Sequence, residues 1–252
     1  AGLKVDGVVG SQTWGNLMIW DEVKNPTPKV ENESNKSKDI PNKVSHIHHN
    51  GLMIYDNLLT DEEYIKKETQ KNTIWLHHTA GGSRPDWTIG GWERDFLKDK
   101  KGNPILDENG NKKPLRVGTP YVIGRSSSSK KDTLWDGKVL RAFDDRYWAY
   151  HLGISTSNSK ELNSKSIGIE ICNYGPLTLG RDGRYYNYVS KPINDEDVVE
   201  LSKPFRGYTH WEKYTDAQLE STRKLLLSLP NTWNIDIECQ SGGYDENGVW
   251  KS

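Results

Sequence analysis

The sequence predicts an α/β domain built on one central sheet flanked by helices, and three observations carry that prediction. Short runs rich in β-branched and aromatic residues, "TIWLHHT", "PYVIGR", "KVLRAF" and "KSIGIEICNY", are bounded by Gly, Pro, Asn or Asp and read as strands. Segments with helix-start chemistry and a 3.6-residue apolar period lie among and after them, above all "YTDAQLESTRKLLLSL". A chain of 252 residues is also long enough to bury a sizeable core.

Along the chain, the opening "AGLKVDGVVGSQTWGNLMIW" combines a DG turn, a second glycine, a Ser11 or Thr13 cap and an apolar series through Trp14, Leu17 and Trp20. It resembles the closing segment of the small three-helix peptidoglycan-binding domain. Residues 1–20 are therefore expected to be the C-terminal remnant of such a module, cut from a longer chain. Residues 21–50 turn to Lys, Asn, Glu, Pro and Ser and are expected to be a polar linker. Its "HIHH" offers His46, His48 and His49 as a surface metal clip, but a histidine cluster in a polar linker lacks an enclosing second shell, so solvated side chains are the favoured reading.

The main domain is expected over residues 51–252. "MIYDNLL" reads as a short strand, and "TDEEYIKKE" as a helix opened by Thr60 and Glu63 at capping-box spacing. After the strand "TIWLHHT", a second helix is expected around "DWTIGGWERDFLKDK", then a lysine-rich hairpin turning at "DENGNKK". "RSSSSKKD" reads as an exposed loop and the stretch from Gly180 to Gly207 as a long insertion. In "YTDAQLESTRKLLLSL", Thr215 and Gln218 make a capping box, and Leu219, Thr222, Leu226 and Leu229 share one face.

Composition narrows the function. Lys plus Arg (34) nearly balances Asp plus Glu (35), and no basic stripe stands out, so nucleic acid is not an expected partner. No apolar run approaches the roughly 20 residues that span a bilayer, so membrane insertion is not expected either. Cys172 and Cys239 form neither a disulfide framework nor a CxxC metal pair. Ten Trp and twelve Tyr against three Phe favour rings with a polar handle, which suit polar ring-shaped ligands as well as ordinary packing.

The adjacent histidines of "TIWLHHTAGG" raise the sharpest question. Strand alternation sends His77 and His78 to opposite faces, so only one can join a given site, as metal ligand, general base or satisfied core residue. Further segments follow in order: "YVIGR", "GKVLRAFDDRYWAYHLG", "SIGIEICNYG" and "YTDAQLESTRKLL". With "IWLHHTAGG", they resemble the zinc-dependent N-acetylmuramoyl-L-alanine amidases, the type shared by phage amidases, bacterial autolysins and peptidoglycan recognition proteins. The resemblance covers residues 51 to about 240.

The resemblance implies a mixed central sheet flanked by helices and a Zn2+ cofactor. The first histidine of "LHHTA" matches the first zinc ligand, here His77. The glutamate of "SIGIE" matches the position that helps activate the metal-bound water, making Glu170 the candidate general base, with Ile167, Ile169 and Ile171 expected to supply its low-dielectric surroundings. The histidine of "YWAYHLG", His151, matches a cleft residue beside the substrate, and Trp148 and Tyr150 are candidates to line the same groove. The implied partner is bacterial peptidoglycan, with virion or tail proteins added for a phage-borne member. The implied place of action is the cell wall, a secreted setting or host lysis.

The second and third ligands of this family follow the helix that "YTDAQLESTRKLL" matches. No histidine occurs after His210, which precedes that helix, so the remaining zinc ligands are expected beyond Ser252. Thr119 and Pro120 stand where many members carry Tyr and His. Two function classes remain open: a hydrolase of the bond between N-acetylmuramic acid and L-alanine, or a non-catalytic wall-binding or virion module of the same fold. A serine or cysteine hydrolase built on Ser166 or Cys172 lacks the GxSxG elbow.

Overall fold

Apolar alternation in the strand-like runs produces a six-stranded mixed sheet. The computed structural model describes residues 44–47, 51–127 and 132–235. In chain order the elements begin with β1 (Val44–Ile47), β2 (Met53–Asp56), β3 (Thr73–His78), α1 (Pro85–Arg94), β4 (Tyr121–Ile123) and β5 (Val139–Arg141). They continue with α2 (Ser159–Ser164), β6 (Ser166–Ile171), β7 (Thr178–Leu179), β8 (Tyr185–Tyr186), β9 (Pro192–Ile193), β10 (Val198–Phe205), β11 (Tyr208–Glu212) and α3 (Asp216–Trp233). The sheet order is β1-β2-β5-β4-β6-β3, with β3, β6 and β4 mutually parallel and β4 antiparallel to β5. The mixed α/β architecture agrees with the expected fold class.

Alternation divides the strand side chains between two cores. Ile74 and Leu76 of β3, Ile167, Ile169 and Ile171 of β6, and Tyr121 and Ile123 of β4 pack with Leu225 and Leu229 of α3. Val122 and Leu140 face the other way, with Ile89 of α1, Phe143, Ala149 and Cys172. The odd-numbered isoleucines of β6 therefore lie on the opposite side of the sheet from Glu170, which corrects the expectation that they surround it.

The terminal helix is held as its capping box predicts. Gln218 N–H donates to Thr215 Oγ1, and Thr215 N–H donates to Gln218 Oε1, each at 3.1 Å. Its buried face differs from the expected stripe: Gln218, Ser221, Thr222, Leu225, Ser228 and Leu229 are buried, whereas Leu219 and Leu226 are only partly so. The polar members of that face have partners. Gln218 Nε2 donates to the Cys172 carbonyl at the end of β6, and Ser221 Oγ to the Gly137 carbonyl.

Three further expectations are corrected. "TDEEYIKKE" makes a turn rather than a helix: Glu63 N–H bonds Thr60 O, and Ile65 is extended and bridges Trp148. Tertiary packing overrides the capping pattern there, because Tyr64 stacks on Phe143 with centroids 5.0 Å apart. The helix begun at "DWTIGGWER" stops at Arg94; Phe96 and Lys98 instead bridge Pro114 and Pro104 in the lysine-rich hairpin, whose Leu106–Lys112 pair encloses the expected turn. Finally, the sheet starts earlier than Gly51. Within the expected linker, Val44–Ile47 pairs antiparallel with β2, a strand too short to stand out in polar surroundings. The expected wall-binding remnant at 1–20 and the rest of that linker lie outside the described residues, as do the tip of "RSSSSKKD" and Cys239.

The insertion between β6 and α3 builds two small sheets of its own, β7-β8-β9 and β10-β11. No helix among the described residues is long and apolar enough to cross a membrane.

Candidate active site

His77 and Glu170 are directly paired in the register of parallel strands β3 and β6, so their side chains project from the same face of the sheet. The same row continues through Val122 and Leu140 to Tyr55. A polar pair thus occupies one end of an otherwise apolar or aromatic row. Alternation sends His78 to the other face, where its ring meets Trp211 edge-on at 6.4 Å and burial lowers its pKa, with a smaller push from the Arg206 charge. Gly175, at φ +84°, makes room for it: a Cβ there would lie 2.7 Å from His78 Nε2.

Glu170 is partly exposed, but its Oε2 is sealed from solvent and has no hydrogen-bond partner among the described residues. Burial pushes its pKa up to about 8. No ion pair with Arg or Lys offsets that cost among the described residues, so Glu170 does not behave as an ordinary sheet-edge carboxylate. Cys172, two residues further along the same face, and Tyr214 lie within electrostatic reach of it, and burial raises the pKa of both. The Cys172 thiol is buried and held protonated, which removes it as a nucleophile.

His151 enters the site from the loop after β5. Its Nδ1 lies 2.9 Å from His77 Nε2, and its Nε2 lies 2.9 Å from Ser166 Oγ. The two imidazoles meet nearly perpendicular, at 79°. The backbone is pinned as well, because Asn163 Oδ1 accepts from both His151 N–H and Leu152 N–H. Burial pushes the His151 pKa well down, and the His77 and Lys71 charges add to the shift. Lys71 is buried too. Its Nζ donates to Thr69 Oγ1 and to the carbonyls of Tyr147 and Ser164, while burial lowers its pKa to about 8.

Strand alternation places Ser166, Gly168 and Glu170 on one face, and the His151 ring lies over Gly168. A Cβ at Gly168 would collide with the buried Thr119 Cγ2 and sit 3.0 Å from His151 Nδ1. Gly168→Ala is therefore expected to lower stability by roughly 1–3 kcal/mol, the usual cost of overpacking, as read by chemical denaturation. Sequence reasoning considered Ser166 only as a nucleophile; the signal for its present place was its even spacing from Glu170 along the strand.

Tyr150 is 37% exposed and packs edge-on against Trp148, which is 3% exposed. Trp148 thus backs Tyr150 from the core side, and of the two only Tyr150 presents a ring to solvent. The insertion reaches the loop after β3. Tyr188 Oη donates to the Ala80 carbonyl in the loop after β3, and the Tyr174 hydroxyl lies against Gly82.

A buried ionic cluster ties the same insertion to the end of β4. Arg125, just after β4, pairs with Glu212 of β11, and Asp197 approaches to 4.0 Å. Glu212 also accepts the Tyr174 N–H at 2.5 Å, and Arg125 N–H bonds Ser83 O. The arginine of "YVIGR" carried no predicted role, since nothing in sequence marks its partner 87 residues away. His210, excluded as a ligand by its position, packs on Tyr185 with centroids 4.7 Å apart.

No three His, Cys, Asp or Glu side chains among the described residues gather as a metal-holding group. What they offer a metal is one imidazole, His77, with an orphaned buried carboxylate oxygen on the neighbouring strand. That chemistry fits one ligand and one proton-handling group. None of the curated proteins compared with the chain matches it. The family model described as N-acetylmuramoyl-L-alanine amidase matches residues 67–240, a span running from just before β3 past α3 that contains His77, His151 and Glu170. With more than half of its length matched, the chain belongs to the N-acetylmuramoyl-L-alanine amidase family.

Proposed function

We propose that the protein cleaves the amide joining the lactyl group of N-acetylmuramic acid to L-alanine of the stem peptide in bacterial peptidoglycan, with zinc as cofactor. Family membership supports the substrate class. The observation that carries the reading is the buried Oε2 of Glu170, without a hydrogen-bond partner among the described residues and in register with His77. A carboxylate left orphaned inside a protein is destabilising, and such costs concentrate at functional sites.

In this reading His77 is a zinc ligand, and the other ligands lie outside the described residues. Zinc, when bound, polarises the scissile carbonyl and lowers the pKa of water toward about 7. The chain's own residues do the rest. Glu170, whose burial raises its proton affinity, takes the proton from the attacking water and returns it to the leaving alanine amine. Tyr150 offers an exposed ring to the wall polymer, with Trp148 stiffening it from behind. His151 contributes from beneath, since both of its ring nitrogens face protein partners. The place of action is the bacterial wall, reached by secretion, by attachment to the wall or during phage lysis; for a phage-borne protein, virion or tail proteins are the expected additional partners.

Elemental analysis tests the cofactor. The protein carrying its full ligand set is expected to bind stoichiometric zinc, and His77→Ala to lose most of it together with activity. A His77→Ala protein that keeps both would remove His77 from the site.

A further inference from the structure

Trp87, on the first turn of α1, is 67% exposed, the most exposed large apolar side chain among the described residues, and its ring is held in place. Arg84 donates twice to Asp86, from Nε at 3.1 Å and from Nη2 at 2.6 Å. The guanidinium fixed in this way lies over the Trp87 ring, 4.8 Å from its centroid, and over the buried Trp135 at 5.6 Å. One face of the indole is thus backed by a cation whose charge Asp86 neutralises. The rest of the ring is left bare by the sequence. On a helix the residues three and four positions further on lean over a side chain, and here both are glycine, Gly90 and Gly91. The backbone does not require them. Neither has a positive φ, a Cβ on Gly91 would meet nothing within 4 Å, and one on Gly90 would meet only the tip of Arg94 at 3.3 Å. Both weaken a helix interior relative to alanine, so helix formation does not account for them.

The ring stands at the end of the sheet that carries His77 and Glu170. The loop leaving β3 crosses the C-terminal ends of the parallel strands: Thr79 N–H bonds Ile171 O, Gly81 N–H bonds Asn173 O, and Arg125 N–H bonds Ser83 O just before Arg84 opens α1. The helix then lies on the face of the sheet that bears Glu170, with Ile89 packed in the core of Val122 and the Thr88 side chain hydrogen-bonded to Cys172. We propose that Trp87 is a stacking platform for an N-acetylhexosamine ring of the wall glycan, a sugar subsite on the helix that flanks the candidate active site. The choice of occupant rests on peptidoglycan being the substrate. A pyranose presents a face of C–H bonds that packs on the electron-rich face of an indole. With Arg84 neutralised by Asp86, the patch suits an uncharged sugar ring better than an ionised stem peptide. A ring already stacked on a fixed support also loses little freedom on binding.

The test uses the full chain, 15N-labelled and metal-free so that nothing is cleaved, titrated with peptide-free wall glycan and separately with a synthetic stem peptide lacking sugar. The indole N–H signal of Trp87 is assigned by its disappearance in Trp87→Phe. Glycan is expected to shift that signal saturably, and the stem peptide to leave it in place. Trp87→Ala is expected to weaken glycan binding about 5-fold or more. Gly91→Leu, which covers the ring while favouring the helix, is expected to weaken binding without lowering the denaturation midpoint. A Trp87 signal that glycan does not move overturns the proposal, as does one moved by the stem peptide alone or a folded Trp87→Ala protein of unchanged glycan affinity. If Trp87→Ala does not fold, the wild-type spectrum and Gly91→Leu decide. The hydrolytic reading is judged apart from this: wall cleaved by a protein whose Trp87 ignores glycan would sink the subsite alone, and glycan held by Trp87 without any cleavage would sink the hydrolysis alone.

Discussion

Glu170→Gln is expected to lose about 10²- to 10⁴-fold in turnover on wall peptides and at the same time to make the metal-free protein more stable at alkaline pH. The two effects share one cause. Burial raises the Glu170 pKa to about 8 from an ordinary value of 4.5. Between those values the folded state binds a proton that the unfolded state has released. Stability from this group is thus fully present below about pH 4.5 and is lost as pH rises through about 8. Glutamine cannot ionise, so the loss disappears. At pH 9 the variant should exceed the wild type by on the order of 3 kcal/mol, a figure reduced from the full shift because the side chain is partly exposed. At pH 4 the two should nearly coincide. Denaturation midpoints at both pH values, with kcat at saturating substrate, check the prediction; an equally stable but inactive variant would break the link between burial cost and function.

Arg125→Met should destabilise the protein by about 3–5 kcal/mol, because it leaves the Glu212 carboxylate buried without its cation and with Asp197 nearby. Burial already raises the Glu212 pKa against the lowering influence of Arg125. Removing the arginine takes away its main compensation. The double variant Arg125→Met with Glu212→Gln should recover much of the loss, and a double-mutant cycle in urea measures the coupling. If Arg125→Met alone proves neutral, the cluster does not hold the insertion against the site. Its expected effect is on stability first, because Arg125 joins three segments (the loops after β3 and β4 and the insertion), and its partners among the described residues are Ser83, Asp197 and Glu212 rather than His77 or Glu170.

The sheet was legible in sequence wherever a strand was buried on at least one face. "TIWLHHT" and "SIGIEIC" announce themselves by β-branched content, and alternation correctly separates His77 from His78. The edge strand β1 was not legible, since four residues in polar surroundings carry no period. Nor was the turn at Thr60, where local capping chemistry lost to the stacking of Tyr64 on Phe143, a contact made across 79 residues of chain. The last helix shows a subtler limit. Its period was right, but polar Gln218 and Ser221 point inward because strand and turn carbonyls need donors there. At the site, residue types on one strand could be read off, whereas the partners of Arg125 and the meeting of His151 with His77 depend on long-range closure that no local pattern encodes.

The most direct measurement of the proposed chemistry is product analysis of purified peptidoglycan after digestion, by mass spectrometry and labelling of free amines. The account predicts stem peptides with a newly freed α-amino group on L-alanine and glycan chains that keep intact lactyl groups, formed by the wild type and reduced at least 100-fold with Glu170→Gln. Wall binding by the zinc-loaded protein with no new amine, or cleavage that yields new reducing sugar ends instead, would contradict it.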